Sequence, residues 1–142
     1  KTLKISASLA ENGEVLKSGH VYFAPADCHL TLKKIDKKVY IKLDKSEPIN
    51  FLRPSVDKMF ASAAEVYGQG CLAVLLTGMG SDGTVGCEKI KRAGGFTIGE
   101  SEETCVIYGM PKSALEAGVI DEMLPLYEIG NRVKEITQRR CK

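Results

Sequence analysis

The chain has 142 residues, enough for one domain with one core and too few for two ordinary ones. Its 44% apolar and 27% charged residues are those of a globular protein, while a net charge of +2 and 6% aromatics make no case for nucleic acid. Cys28, Cys71, Cys87, Cys105 and Cys141 are irregularly spaced without a C-x-x-C pair, which reads as reduced thiols in a cytoplasmic protein, with neither disulfide framework nor metal site. No apolar run approaches the roughly 18 residues of a membrane span, and nothing calls for a cofactor.

Leu3 and Ile5 alternate with polar residues and predict a short strand already under way at the first residue. With no initiator Met, the chain is expected to be a piece of something longer. Glu11 to Glu14 signals a turn, and Val21 to Ala24 a second strand ended by Pro25. His29–Lys34 and Lys38–Leu43 predict a hairpin about Asp36-Lys37, with Leu30, Leu32, Val39, Ile41 and Leu43 on one face. After a loop from Asp44 to Leu52, Pro54 is placed to open a helix whose apolar face is Val56, Met59, Phe60, Ala63, Ala64 and Tyr67.

Leu72 to Leu76 is a buried strand; Thr77 to Gly83 is a glycine turn; Thr84 to Ala93 is a helix stopped by Gly94-Gly95. Phe96–Ile98 predicts another strand, Pro111–Ala117 a helix, Val119–Leu126 a connector, and Leu126, Ile129, Val133 and Ile136 a last amphipathic helix. Strands alternating with helices imply an α/β fold: a doubly wound, mostly parallel sheet with helices on both faces and the antiparallel hairpin at an edge.

Chemistry in such a fold sits beyond the carboxyl end of a strand, which here is the glycine turn. Gly78, Gly80 and Gly83 spell G-x-G-x-x-G, and Glu100, Glu102 and Glu103 follow where a ribose-binding acid belongs. A carboxylate at Asp82, however, repels the pyrophosphate that this motif must bind. A second reading makes Asp82 a buried acid that is held by backbone donors and orients a histidine. A plain helix cap is the third, and it leaves the glycine cluster unexplained.

Thr77-Gly78-Met79-Gly80-Ser81-Asp82-Gly83 resembles the signature loop of the CheB-type protein-glutamate methylesterases of bacterial chemotaxis. Four further stretches match in the same order: Gly19–Pro25, Arg53-Pro54-Ser55-Val56-Asp57, Cys105–Pro111 and Ala114–Gly118. The resemblance implies a partial methylesterase catalytic domain over residues 1–142, cut from an enzyme that hydrolyses receptor glutamate methyl esters to glutamate and methanol and deamidates receptor glutamines. It implies a Ser-His-Asp triad with Asp82 as the acid, the Met79 amide at the oxyanion site, and Gly78 and Gly80 allowing close approach to substrate. Arg53, at a position where the family also carries Arg, is expected either to bind substrate carboxylates or to pair with Glu47 or Asp57. The implied partners are methyl-accepting chemotaxis receptors and a receiver domain in the same native chain. An exposed sheet edge predicts self-association.

The family's serine and histidine precede the segment where this chain starts. No serine here lies in a G-x-S-x-G elbow, and Ser55 reads as a first-turn residue of its helix. His20 and His29 fall in a strand and the loop after it, and His29 and Cys28 point to opposite faces. The chain alone is therefore expected to hydrolyse nothing. The alternative function is a non-catalytic receptor-binding or regulatory module of the same fold.

Overall fold

The computed structural model describes residues 5–140. The central unit is a parallel sheet of β5 (Leu72–Leu75), β6 (Phe96–Glu100) and β7 (Glu122–Leu124), in the order β5-β6-β7. Strand alternation divides its side chains between two cores. Ala73 and Leu75 point into one with Phe60 and Ala64 of α1 (Val56–Tyr67), Cys87 and Ile90 of α2 (Thr84–Arg92), and Ala114 of α3 (Met110–Glu116). Leu72, Val74, Phe96 and Ile98 face the other, where α4 (Leu126–Arg140) lays down Ile129, Val133 and Ile136. A strand rotates alternate residues to opposite faces, so both sides of β5 are apolar and both need a helical cover. The helices lie on both faces, as expected of a doubly wound sheet.

The hairpin of β3 (His29–Ile35) and β4 (Lys38–Asp44) turns at Asp36, whose φ is +54°, in the expected register. It stands as its own ladder among the described residues and is not the edge of the parallel sheet. The reason lies in what occupies its flanks. Residues 13–16 pair along β4 (Gly13 N–H to Ile41 O, 2.8 Å; Ile41 N–H to Glu14 O, 2.9 Å), and Leu32 N–H donates to Ser62 Oγ of α1 at 2.9 Å. Leu30 and Ile41 then pack beneath Met59 of α1 in a third cluster.

Other boundaries move for local reasons. The opening strand is β1, Ser6–Leu9, parallel to β2, His20–Phe23. It begins after Ile5 because the next partner on β2's side is Gly19, which turns at φ +71°; Leu3 lies outside the described residues. Pro54 does not open α1. Ser55 follows it with extended backbone (φ −110°, ψ 132°), and the helix starts at Val56. The stretch from Val119 to Leu126 contains β7, whose short ladder on β6 carries too little periodicity to stand out in sequence. Between β6 and α3, Tyr108 makes a single parallel bridge to Gly78.

Candidate functional site

The loop between β5 and α2 is fastened on one side by the Glu100 carboxylate and the backbone of residues 107–110. Thr77 N–H donates to Glu100 Oε2 at 2.8 Å, Gly78 N–H to Ile107 O at 3.0 Å, and Gly109 and Met110 N–H both reach Gly78 O at 3.1 and 2.8 Å. Close approach of the two segments leaves no room for a side chain at Gly109, and room at Gly78 only if Met110 moves. A Cβ on Gly78 would stand 2.3 Å from Met110 Sδ, and one on Gly109 2.6 Å from Gly78 O. Gly80 has open space around it but takes φ +91°, a conformation that suits glycine. Pinned at Gly78 and turned at Gly80, the loop thrusts Met79 outward, 80% exposed. Among the described residues no acceptor meets the Met79 amide, so its N–H is free to serve an incoming anion.

Behind this apex lies Asp82, only 7% exposed. It does not cap its own helix: the residue at the start of α2 is Gly83, at φ +97°. Its carboxylate instead reaches the start of α1. Oδ1 accepts from Ser55 Oγ at 2.9 Å and Asp57 N–H at 3.0 Å, and Oδ2 accepts from Val56 N–H at 2.7 Å. The Val56 and Asp57 amides are first-turn donors without partners inside α1, and the helix dipole adds attraction for the charge. A carboxylate can accept about four hydrogen bonds. Three are fixed here, which leaves Oδ2 able to take one more donor from a defined direction.

Asp57 performs the reverse service. Its Oδ1 accepts from Gly83 N–H at 2.9 Å and Gly86 N–H at 2.7 Å, the opening donors of α2. Burial pushes its carboxyl above the usual carboxylate range; the Gly86 N–H opposes this, and the neighbouring Asp82 charge adds to it. The two helices must be close for such an exchange. Gly86 permits it, since a Cβ there would meet Phe60 Cβ at 2.6 Å and Asp57 Cα at 3.1 Å.

His29, fully buried, supports the same corner without touching Asp82. Its Nδ1 accepts from Ser55 N–H at 3.3 Å, which places the ring proton on Nε2, 3.1 Å from Glu47 O. Both nitrogens are occupied. His20 pairs with Ser8 Oγ at 2.8 Å on the β1–β2 ladder. Ser55 touches the acid but is 2% exposed, so no substrate reaches its hydroxyl.

The structure thus keeps Gly78, Met79, Gly80 and Asp82 in one loop, while Arg53, in the segment that leads into α1, is engaged with other partners. Arg53 pairs with Asp27, not with Glu47 or Asp57: Nε donates to Asp27 Oδ1 at 3.0 Å, a second nitrogen contacts the same oxygen, and Nη1 reaches Lys45 O and Ser46 O at 3.0 and 3.2 Å. The pair holds Asp27 below the usual carboxylate range through its hydrogen bond and charge. Asp27, at φ +60° in a turn, is brought to Arg53 by the fold and not by sequence spacing. The close approach at Gly78 is to Met110, a neighbour the glycine pattern does not reveal. Glu100, a candidate for ribose binding in the dinucleotide reading, is 1% exposed, and its oxygens are taken by Thr77 N–H and Thr104 Oγ1. Ser55, Asp57 and His29 were not singled out for this site. The signal present was the Arg53–Asp57 match, in which an acid in a helix's first turn passes for an ordinary dipole partner.

A family model described as CheB methylesterase matches residues 1–133. The chain is 49% identical over 135 residues to the protein-glutamate methylesterase/protein-glutamine glutaminase of Thermotoga maritima, an alignment covering 95% of this chain and 39% of the relative. A protein of the same name from Methanosarcina mazei is 46% identical over 132 residues, covering 93% of this chain and 37% of that one. The crystal structure of the Thermotoga maritima CheB methylesterase catalytic domain superimposes with a TM-score of 0.88 at 51% identity, over 89% of this chain and 67% of that domain. The chain spans about two fifths of the length of these full-length relatives.

Proposed function

The chain belongs to the CheB methylesterase family, and from that premise we propose that it is the acid-bearing portion of a protein-glutamate methylesterase. The proposed substrates are methylated glutamates of chemotaxis receptors, hydrolysed to glutamate and methanol, together with receptor glutamines, which are deamidated. The observation that carries the reading is the Asp82 carboxylate, buried, bound by three donors and able to accept a fourth.

In this mechanism a serine outside this chain attacks the ester carbonyl, and a histidine outside it takes the serine proton and returns it to the departing methanol. Water then enters by the reverse path and frees the glutamate. Asp82 receives the imidazole N–H on its remaining acceptor position, selects the tautomer that leaves the other nitrogen basic, and stabilises the imidazolium. The Met79 N–H donates to the tetrahedral oxyanion, at a point where the turn at Gly80 keeps it free of internal acceptors. Four of Arg53's five N–H donors are engaged; the fifth is assigned to an acidic residue of the receptor segment.

This reading sets the protein in the cytoplasm; among the described residues no helix is long and apolar enough to cross a membrane. It includes a receiver domain in the native chain. It also gives Leu9, Val21 and Phe23, exposed on β1 and β2, a cover formed by another part of the protein or by self-association. The experiment is methanol release from a methylated receptor by the full-length native gene product, with Asp82→Ala beside it. Turnover lost in the variant, with its folded fraction by circular dichroism equal to wild type, supports the assignment. A native product that binds receptor yet neither turns over nor reacts with a serine-directed phosphonate would replace it with the binding-module reading.

A further inference from the structure

The starts of α1 and α2 are capped by each other and by no side chain of their own. Asp82, which leads into α2, accepts from Val56 and Asp57 N–H of α1, and Asp57, in α1, accepts from Gly83 and Gly86 N–H of α2. Asp57 therefore meets the Asp82 segment twice. Its backbone N–H binds the Asp82 carboxylate, and its own carboxylate binds the amide of the next residue. Gly83 brings no side chain to its helix terminus, and its φ of +97° suits glycine, which packs here against Leu75 and Val56. Its carbonyl accepts from Cys87 N–H at 2.8 Å, and the Asp57 oxygen fixes its N–H on the side that leads to Asp82. The Asp57 carboxylate also lies beside a second negative charge in a buried corner, a cost that the helix-terminal amides on both carboxylates oppose.

We propose that Asp57 is a positioning residue for Asp82: by binding the amides of Gly83 and Gly86 it fixes where the Asp82 carboxylate stands and which way its free acceptor position points. This rests on the reading of Asp82 as the triad acid. The prediction is specific about atoms. The Gly83 and Gly86 hydrogen bonds both go to one oxygen, Oδ1, with Val85 N–H a further backbone donor to the carboxylate, so an amide side chain can keep the Oδ1 pair and a methyl cannot. What Asp57 contributes above all is an acceptor at that point.

The test uses the full-length native protein with Asp57→Ala, Asp57→Asn, Asp82→Ala and the double variant Asp57→Ala/Asp82→Ala, followed by methanol release from methylated receptor. Asp57→Ala should lower kcat by about 10²-fold, the scale of a misplaced catalytic group, with KM moved less than about threefold. Asp57→Asn should recover most of that loss. In the Asp82→Ala background, Asp57→Ala should cost less than about twofold more, because a residue acting through Asp82 has nothing left to position. Wild-type kcat in Asp57→Ala, equal loss in Ala and Asn variants, or full additivity in the double variant would overturn the inference while leaving the proposed function intact.

Native-state hydrogen exchange decides the same point without turnover. Asp57→Ala should speed exchange at Val56 and at residue 57 as well as at Gly83 and Gly86, with Ile98 in the sheet unchanged; unmoved Val56 and residue 57 amides count against it. Should the alanine variant fail to fold, Asp57→Glu takes its place. It keeps the charge, displaces the acceptor by one methylene, and should show the same kcat loss and faster Val56 exchange. Wild-type values in that variant would refute the assignment. Wild-type protein without turnover, or Asp82→Ala at full rate, removes the proposed function and leaves the exchange result to judge the coupling.

Discussion

Replacing Asp82 by Asn changes one atom of the proposed triad acid and, on this structure, also weakens the capping of α1. The carboxylate accepts from Ser55 Oγ and Asp57 N–H on one oxygen and from Val56 N–H on the other. An amide has one oxygen and one NH2. In one orientation its nitrogen faces Val56 N–H; flipped, it faces Asp57 N–H. The Ser55 hydroxyl can rotate to suit either, but a backbone N–H cannot. One buried donor stays unsatisfied, at about 1–3 kcal/mol. Loss of the charge from the α1 terminus adds about 0.3–1 kcal/mol. The total, roughly 1.5–4 kcal/mol, is a sizeable share of the ~5–15 kcal/mol that holds a domain together, yet leaves it folded. With a urea m-value of about 2 kcal/mol per M, the midpoint should fall by roughly 1–2 M. Urea unfolding followed by circular dichroism measures this directly. Asp82→Ala, which strands all three donors, should fall further. A midpoint for Asp82→Asn equal to wild type would refute the capping role of the carboxylate. Turnover measurements on the Asn variant therefore need the folded fraction beside them.

Three other outcomes follow from the same corner. Gly86→Ala forces α1 and α2 apart at the Phe60 contact and should lower stability by about 1–3 kcal/mol, read as a fall in Tm. Asp57 titrates above its ordinary value in the folded state, so between the two values the native protein binds the extra proton and stability falls as pH rises. Asp57→Asn should remove that slope from a series of urea midpoints taken from acid to neutral pH. The Cys87 thiol is fully buried and pushed up to about 12, chiefly by desolvation. Under native conditions near pH 8 it should resist alkylation while Cys28, in a partly exposed position, is labelled; mass mapping with and without denaturant checks this.

The elements of this fold are legible where one face must be apolar. The α1 stripe from Val56 to Tyr67, the His29–Asp44 hairpin and the β5–turn–α2 unit can all be read from period alone, since burial imposes that period. Strand β7 has three residues and is formed by its pairing to β6, so its own composition says little. Asp82 can be selected as a candidate because a carboxylate among glycines at a strand's end contradicts phosphate binding. Its partners cannot. Ser55 and Asp57 lie 27 and 25 residues away, and Arg53 finds Asp27 across 26. Those separations carry no periodic signal.

By itself the sequence determined the class of fold, the loop that bears the acid and the family to which the chain belongs, because local propensity, burial period and motif order are written along the chain. Only the tertiary structure decided that Asp82 serves the start of α1, that Asp57 serves the start of α2, and that Gly86 keeps them within reach. Unpaired helix-terminal donors take whatever acceptor the packing brings near, and which acceptor that is depends on how two helices cross in space.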